Sequence, residues 1–301
     1  MGTSISFDNW GGAKEIMKVV ITGAIGLLGR VATQHLVNSG HEVTAVDRAE
    51  GSVPQGVHLR VGDLSDLDFV QKSIDGAEAV VHLAAIPNPL SGQEYGVFRN
   101  NVLTSFTVFN AAAEAGCKIV AYASSLSIYG TAWSPEWTSP QYVPVDETHP
   151  IVYSESYALS KEVAELTALD WSRRSNTAFV GFRFPYTNVA EDLLNCARLL
   201  KTEDSVFSPR AAKILWAYLD SRDAAAALEL TIQSDAKGAK VYNFAAPDTM
   251  ATRSTESLLA QYHPTSTLKG DFSAHQSPVS SQLWLKEMGY SPRHLIDRSA
   301  I

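Results

Sequence analysis

The chain has 301 residues, 45% of them hydrophobic, with 32 acidic against 24 basic side chains, a formal net charge of -8 and a pI near 5.5. That is enough apolar material for a sizeable core, and no basic run offers a track for a nucleic-acid backbone, which argues against DNA or RNA as partners. No apolar stretch approaches a membrane span, residues 1–16 lack the hydrophobic centre of a signal peptide, and Cys117 and Cys196 have no C-x-x-C spacing, so the expectation is a cytoplasmic protein with two buried thiols and no metal.

Residues 1–16 read as a tail, with Phe7 and Trp10 as its packing residues. A first strand at 18–22 runs into the turn Thr22-Gly23-Ala24-Ile25-Gly26-Leu27-Leu28-Gly29 and a helix at 27–38. The glycines at 23, 26 and 29 serve a tight turn, the close approach of a pyrophosphate and the packing of helix on strand. A second strand at 42–46 ends in Asp47, roughly twenty residues after the turn, where a carboxylate can accept hydrogen bonds from ribose hydroxyls. The same carboxylate repels a ribose 2′-phosphate, which favours NAD over NADP, although Arg48 beside it could pair with that phosphate.

Further strands are expected at 57–61, 79–83, 119–123 and 178–183, with helices at 66–74, 97–115 and 155–174 between most of them. This alternation implies an α/β fold, a doubly wound parallel sheet of the Rossmann type with helices on both faces. Beyond Arg183 the pattern loosens into a polar and aromatic stretch to about 215, then a helix at 221–233, a strand at 240–244 and a helical, loop-rich tail. The expected organisation is a nucleotide-binding domain at 17–185, to which 216–245 returns, and a small substrate lobe made of 186–215 and 246–301. The proline-bearing loop 133–150 is too short for a linker.

Tyr157-Ala-Leu-Ser-Lys161 carries the strongest chemical signal, because tyrosine and lysine four apart on a helix share one face. A phenol near its ordinary pKa of about 10 is a poor base at neutral pH, and a neighbouring ammonium stabilises the phenolate. The serine-rich turn Ser124-Ser125-Leu126-Ser127-Ile128-Tyr129-Gly130 leaves the carboxyl end of the fifth strand, where open parallel sheets bind ligands. These serines are hydrogen-bonding partners, because no G-x-S-x-G elbow or suitably spaced His and acid is present.

Together these segments resemble the extended short-chain dehydrogenase/reductase family, the NAD-dependent epimerases, dehydratases and dehydrogenases of sugars. The resemblance runs from about residue 17 to near the end. It includes Gly62-Asp63-Leu64, His82-Leu83-Ala84-Ala85, Asn100-Asn101-Val102, Arg183-Phe184-Pro185, Tyr218-Leu219-Asp220-Ser221-Arg222-Asp223, Tyr242-Asn243-Phe244 and Leu285 to Pro292. It implies a catalytic set of Ser125, Tyr157 and Lys161, in which Tyr157 takes the proton of a substrate hydroxyl, Ser125 holds the oxygen and Lys161 binds the nicotinamide ribose. It implies cofactor contacts from Gly23, Ile25, Gly26, Leu27, Gly29, Asp47, Arg48, Asp63, Leu64, Leu83, Ala84, Ala85, Asn101, Phe184 and Pro185, together with Tyr157 and Lys161. Asp63 and Leu64 fall beside the adenine, and Asn101 falls near the active site. Substrate contacts fall on Pro87, Ser125, Leu126, Ser127, Tyr157 and Asn188.

The departures from the family pattern concern the substrate. Asn188-Val189-Ala190-Glu191 replaces the usual Asn-Val-Tyr-Gly-Pro turn, Tyr218 follows about thirty residues later, and Trp216 stands where a diphosphate-binding arginine is expected. A small carbohydrate-like partner is implied: a free sugar, sugar acid or polyol. Arg210, Lys213 and Arg222 are the candidate cations for an acidic group. Members acting on free uronic acids have polar side chains where this chain has Pro87 and Leu126, and a histidine at Ser127. The expected activity is an NAD-dependent dehydrogenase. An epimerase with transient hydride transfer is the alternative, and a non-catalytic NAD sensor is disfavoured by the intact Ser125, Tyr157 and Lys161 set. Alanine-rich helices at 97–115 and 155–174 suggest a homodimer.

Overall fold

A computed structural model describes residues 15–89, 93–201 and 207–301, so Phe7 and Trp10 lie outside the described residues. The chain opens with β1 (Lys18–Thr22), α1 (Leu27–Asn38), β2 (Glu42–Asp47), β3 (His58–Val61), α2 (Leu67–Ile74), β4 (Ala79–His82), α3 (Glu94–Glu114) and β5 (Ile119–Ser125). It continues through β6 (Tyr142–Val143), α4 (Ser156–Arg174), β7 (Ala178–Phe184), β8 (Tyr186–Asn188), α5 (Ala190–Leu200), α6 (Phe207–Lys213), β9 (Tyr218–Asp220) and α7 (Ser221–Ile232). β10 (Ala239–Asn243), α8 (Thr255–Tyr262), β11 (Thr267–Leu268) and α9 (Gln282–Met288) complete it.

Seven strands form one sheet in the order β10-β7-β5-β4-β1-β2-β3, and every neighbouring pair is parallel. The chain builds outward from β1 to β3, then returns to the other side of β1 with β4. Ligands of open parallel sheets sit outside the carboxyl ends of the strands at such a reversal. Successive side chains on a strand face opposite ways, so Val19 and Ile21 pack with Leu36 of α1 and the alanines of α7, while Val20 packs with the core under α2, α3 and α4. Both faces are therefore covered, which is why the inner strands read as continuous apolar runs rather than as alternating ones.

The largest difference from the sequence expectation lies after Pro185. The stretch read as polar and aromatic contains β8 and two helices, α5 and α6, and β8 pairs in parallel with β9 just beyond it. Leu193, Ala197 and Leu200 form the buried face of α5, but exposed Leu199 and half-buried Leu194 blur that period in the sequence. A separate apolar cluster gathers there, around Leu193, Trp216, Tyr218, Met250 and Leu258, and it also takes in Tyr129 and Val145. Trp216 is packed edge-on against Tyr262 and His263 in that cluster.

Of the two thiols, Cys117 is buried and its thiol is pushed up to about 12 by desolvation. Cys196 corrects the expectation of two buried thiols. It is only half-buried, with Sγ 3.7 Å from the Tyr186 hydroxyl. No helix among the described residues is long and apolar enough to cross a membrane.

Candidate active site

The turn after β1 has the shape a pyrophosphate needs. Gly23 takes φ of +71°, and a Cβ there would stand 2.6 Å from the Ala84 nitrogen; a Cβ at Gly29 would stand 2.0 Å from the Gly23 carbonyl oxygen. These two positions require glycine, one for its backbone and both for lack of room. Gly26 caps α1 without any side-chain hydrogen bond, and the first turn of α1 carries no acid. In contrast, α2, α4, α7 and α8 are capped by Asp66, Glu155, Asp220 and Ser254. An uncapped helix start offers backbone N–H groups and the positive end of the helix dipole to an anion.

Asp47 closes the far side of this turn. Its Oδ2 accepts from the Ile25 amide at 3.0 Å and its Oδ1 from the Ala49 amide at 3.1 Å, so the carboxylate is fixed at the carboxyl end of β2. Arg48 and Asp63 are exposed. Hydrogen bonds from Ser65 hold the Asp63 carboxyl below the usual carboxylate range, and the charges of Arg48 and Arg99 act in the same direction. Leu64 is buried in the core with Val70 and Ile74, so its side chain is not free to face a ligand.

A cavity of about 500 Å³ lies over the carboxyl ends of the strands. Gly23, Gly26, Leu27 and Gly29 from the turn, Leu83 and Ala85 from the end of β4, and Phe184 and Pro185 from the end of β7 all border it. So do Ser125, Leu126, Ser127, Tyr157, Lys161 and Pro87. Ile25, Asp47, Arg48, Asp63, Leu64 and Ala84 lie outside its wall, as do Asn101 and Asn188.

Asn101 and Asn188 differ most from their expected places. The Asn101 amide is consumed by the Ile86 backbone, accepting from its nitrogen at 2.8 Å and donating to its carbonyl at 3.0 Å. It also donates to the Ser160 hydroxyl at 3.1 Å, so Asn101 ties α3 to α4 behind the cavity. Asn188 donates to the Tyr186 hydroxyl at 2.9 Å and accepts from the Val189 amide at 2.8 Å. It supports a wall residue instead of facing the cavity.

Glu155 starts α4 by accepting from the amides of Tyr157 and Ala158 at 2.6 and 2.8 Å. That cap sets the first turn of the helix, and with it the direction of the Tyr157 side chain. Burial pushes the Tyr157 phenol up to about 12, while a hydrogen bond with Ser125 opposes the shift and the Glu155 charge adds to it. The Ser125 hydroxyl accepts from the Ser127 amide at 3.1 Å and from the Ser127 hydroxyl at 2.9 Å. Lys161 donates to the Ala123 carbonyl of β5 at 2.8 Å, with its Nζ 5.6 Å from the centre of the Tyr157 ring. Burial presses Lys161 down to about 8, opposed by the nearby Glu165 charge, so the ammonium is still charged at neutral pH.

Other wall residues carry no local signal in the sequence: Asn88, Thr131, Trp133, Tyr186, Thr187 and Val279. They come from four separate segments, and only folding brings them together. The contacts under the serine turn had no signal in the sequence either: the Ser124 hydroxyl donates to Glu165, and Glu165 pairs with Arg183. Of the three candidate cations, Arg210 borders the cavity, Lys213 donates to the Ser134 carbonyl at 2.7 Å and Arg222 pairs with Asp220 at 2.8 Å.

A doubly wound parallel sheet, a glycine turn at its point of reversal, and Tyr157 and Lys161 on a helix beside the serine turn define a short-chain dehydrogenase/reductase of the extended type. Residues 19–245 match the NAD dependent epimerase/dehydratase family, and the chain belongs to it. Its cofactor is NAD, and the uncapped start of α1, the room at Gly26 and the placement of Asp47 fit that group.

The chain is 29% identical to a UDP-glucose 4-epimerase of Corynebacterium glutamicum over 184 residues, 58% of this chain and 52% of that protein. It is 26% identical to an L-arabinose 1-dehydrogenase (NAD(P)(+)) of Haloferax volcanii over 204 residues, 66% of this chain and 76% of that protein. The chain thus spans about half the length of the curated epimerases it matches. A short-chain dehydrogenase/reductase superfamily protein from Agrobacterium tumefaciens, solved with bound NAD, shares the fold with a TM-score of 0.71 at 23% identity, covering 94% of each chain.

Proposed function

We propose that this protein is an NAD-dependent dehydrogenase that oxidises a hydroxyl of a small sugar, sugar acid or polyol. The observation that carries the reading is the meeting of Ser125, Tyr157 and Lys161 in one cavity with the glycine turn. Bound there, NAD supplies the acceptor for the hydride that leaves the substrate carbon. The cavity of about 500 Å³ has to accommodate both the nicotinamide end and the substrate, which favours a partner smaller than a nucleotide sugar. The short course from Pro185 to Tyr218 supports the same choice.

In this reading Tyr157 takes the hydroxyl proton as general base. Its phenol, pushed up to about 12 by burial, needs a positive neighbour to act near neutral pH. Lys161 supplies one from the next turn of α4. The Ser125 hydroxyl, held by Ser127, positions the substrate oxygen. Asp47 holds the adenosine ribose, the start of α1 holds the pyrophosphate, and Asn101 acts as a positioning residue behind the wall. The proposed small lobe comprises 186–215 and 246–301 and covers the substrate.

An epimerase is the second reading, favoured by the UDP-glucose 4-epimerase relatives. Incubation with NAD and a panel of free sugars, sugar acids and UDP-sugars separates the two. The dehydrogenase accumulates NADH with at least one free sugar or sugar acid; conversion of a UDP-sugar without net NADH would replace that reading. Tyr157→Phe should lose at least about a hundredfold in turnover while still binding NAD, and near-normal turnover would remove the tyrosine from the mechanism.

We also propose a homodimer, formed through α3 and α4. Tyr95, Phe106, Leu166 and Leu169 are large apolar side chains left exposed on those two helices.

A further inference from the structure

We infer that the substrate is an anion whose carboxylate or phosphate pairs with Arg210; this rests on the dehydrogenase reading and specifies its substrate. The formal charges on the cavity wall carry the inference. Although acidic side chains outnumber basic ones in the chain, the wall contains two cations, Lys161 and Arg210, and no Asp or Glu among the described residues. Lys161 is turned inward to the Ala123 carbonyl beside Tyr157, which leaves Arg210 as the cation available to the substrate end.

Arg210 has no carboxylate partner among the described residues. Its guanidinium carbon lies over the Trp133 ring, 5.3 Å from the ring centre, within reach of a cation–π contact. Trp133 borders the same cavity, so the cation and the ring it lies over are both part of the wall. A sugar ring with an acidic substituent supplies the oxyanion that such a guanidinium pairs with.

The segment carrying Arg210 is held from both sides. Lys213, one turn later on α6, donates to the Ser134 carbonyl at 2.7 Å, which fixes the helix against the stretch that bears Trp133. At the end of α6, Leu215 and Trp216 both adopt left-handed backbone, with φ of +56° and +51°, and are almost completely buried. Such geometry in two bulky residues is unfavourable and persists only where the surroundings enforce it. The backbone that carries Arg210 is thereby fixed at the cavity, while its side chain remains exposed.

The probes are D-glucuronate for the carboxylate, D-glucose 6-phosphate for the phosphate and D-glucose as the neutral control. The wild type should form NADH from one of the two anions with a higher kcat/KM than from D-glucose, and the preferred anion tells carboxylate from phosphate. Arg210→Gln should lower that preference by about 10- to 100-fold, mainly through KM, as expected for one charge-assisted contact. Arg210→Lys should restore part of it. A binding measurement makes the test independent of turnover: calorimetric titration of the anions into NADH-loaded Tyr157→Phe, with and without Arg210→Gln, should show binding that the second substitution weakens. Equal efficiency on D-glucose, or anion binding indifferent to Arg210, overturns this inference and leaves the dehydrogenase reading standing. Anion binding that depends on Arg210 upholds the site even without NADH formation from these probes; absence of NADH across the whole panel of free sugars and sugar acids as well overturns the dehydrogenase reading.

Discussion

Glu165 and Arg183 form a bidentate ion pair one helical turn beyond Lys161, with Nε to Oε1 at 3.0 Å and Nη2 to Oε2 at 2.7 Å. Both side chains are under a tenth exposed. The pair is also tied outward, since the Ser124 hydroxyl donates to Glu165 at 2.5 Å and Arg183 donates to the Tyr129 hydroxyl at 2.8 Å. It thereby joins α4, β7 and the serine turn beneath the cavity. Removing one partner leaves a buried charge unmatched, so Glu165→Leu should cost about 3–5 kcal/mol. The double change Glu165→Leu with Arg183→Met should cost less than the sum of the two single changes. Urea unfolding of the three variants measures this, and additive costs would mean that the pair does not act as a unit.

Gly26 separates cofactor binding from folding. A Cβ there meets only the Gly23 carbonyl oxygen, at 3.2 Å, and the backbone φ of −65° suits any residue. Gly26→Ala should therefore fold with a stability change within about 1 kcal/mol, while its methyl group occupies the approach of the pyrophosphate and weakens NAD binding about tenfold or more. Gly29→Ala, with a contact of 2.0 Å to backbone, should destabilise the fold itself. Thermal melts alongside calorimetric titration with NAD distinguish the two effects.

His82 makes the fold sensitive to acid. Its Nδ1 is 2.8 Å from the Thr22 hydroxyl and its Nε2 is 3.2 Å from that of Ser105, and burial pulls its pKa from 6.5 down to about 3. Between those two pH values the unfolded chain binds a proton that the folded protein refuses. Stability is therefore lost progressively as the pH falls below 6.5, by an amount on the order of 5 kcal/mol once the lower value is reached. His82→Leu should be less stable at pH 7 but show a shallower decline in acid. Denaturant midpoints at several pH values test this, and an unchanged slope would assign the acid sensitivity to other groups.

Phe106 and Leu166 are 46% and 57% exposed on α3 and α4, at the centre of the proposed dimer face. Light scattering should show the wild type at twice the chain mass, and Phe106→Glu with Leu166→Glu should give a monomer that retains NAD binding. A monomeric wild type at micromolar concentration would refute the interface.

Much of the fold is legible because its signals are local. Val19 to Ile21 followed by the glycine turn, and the apolar runs that became β4, β5 and β7, need only their own residues to show strand, turn and helix. Tyr157 and Lys161 share a helix, so their spacing alone places them on one face. The segment after Pro185 was less legible, because α6 has only seven residues and the buried stripe of α5 is mixed with apolar residues such as Leu199 left exposed.

The sequence by itself therefore determined the parallel sheet, the dinucleotide turn and the identity of the tyrosine and lysine, since each depends on contacts between near neighbours in the chain. Only the tertiary structure decided what surrounds them. Arg210 was one of three equivalent cations until folding paired Arg222 with Asp220, turned Lys213 to Ser134 and set Arg210 over Trp133 at the cavity. Asn101, read as a site residue from its motif, proved to be satisfied behind the wall by Ile86 and Ser160. The difference is physical: a turn or a helix face is set by residues a few positions apart, whereas the lining and charge of a cavity depend on distant segments whose packing has no local signature.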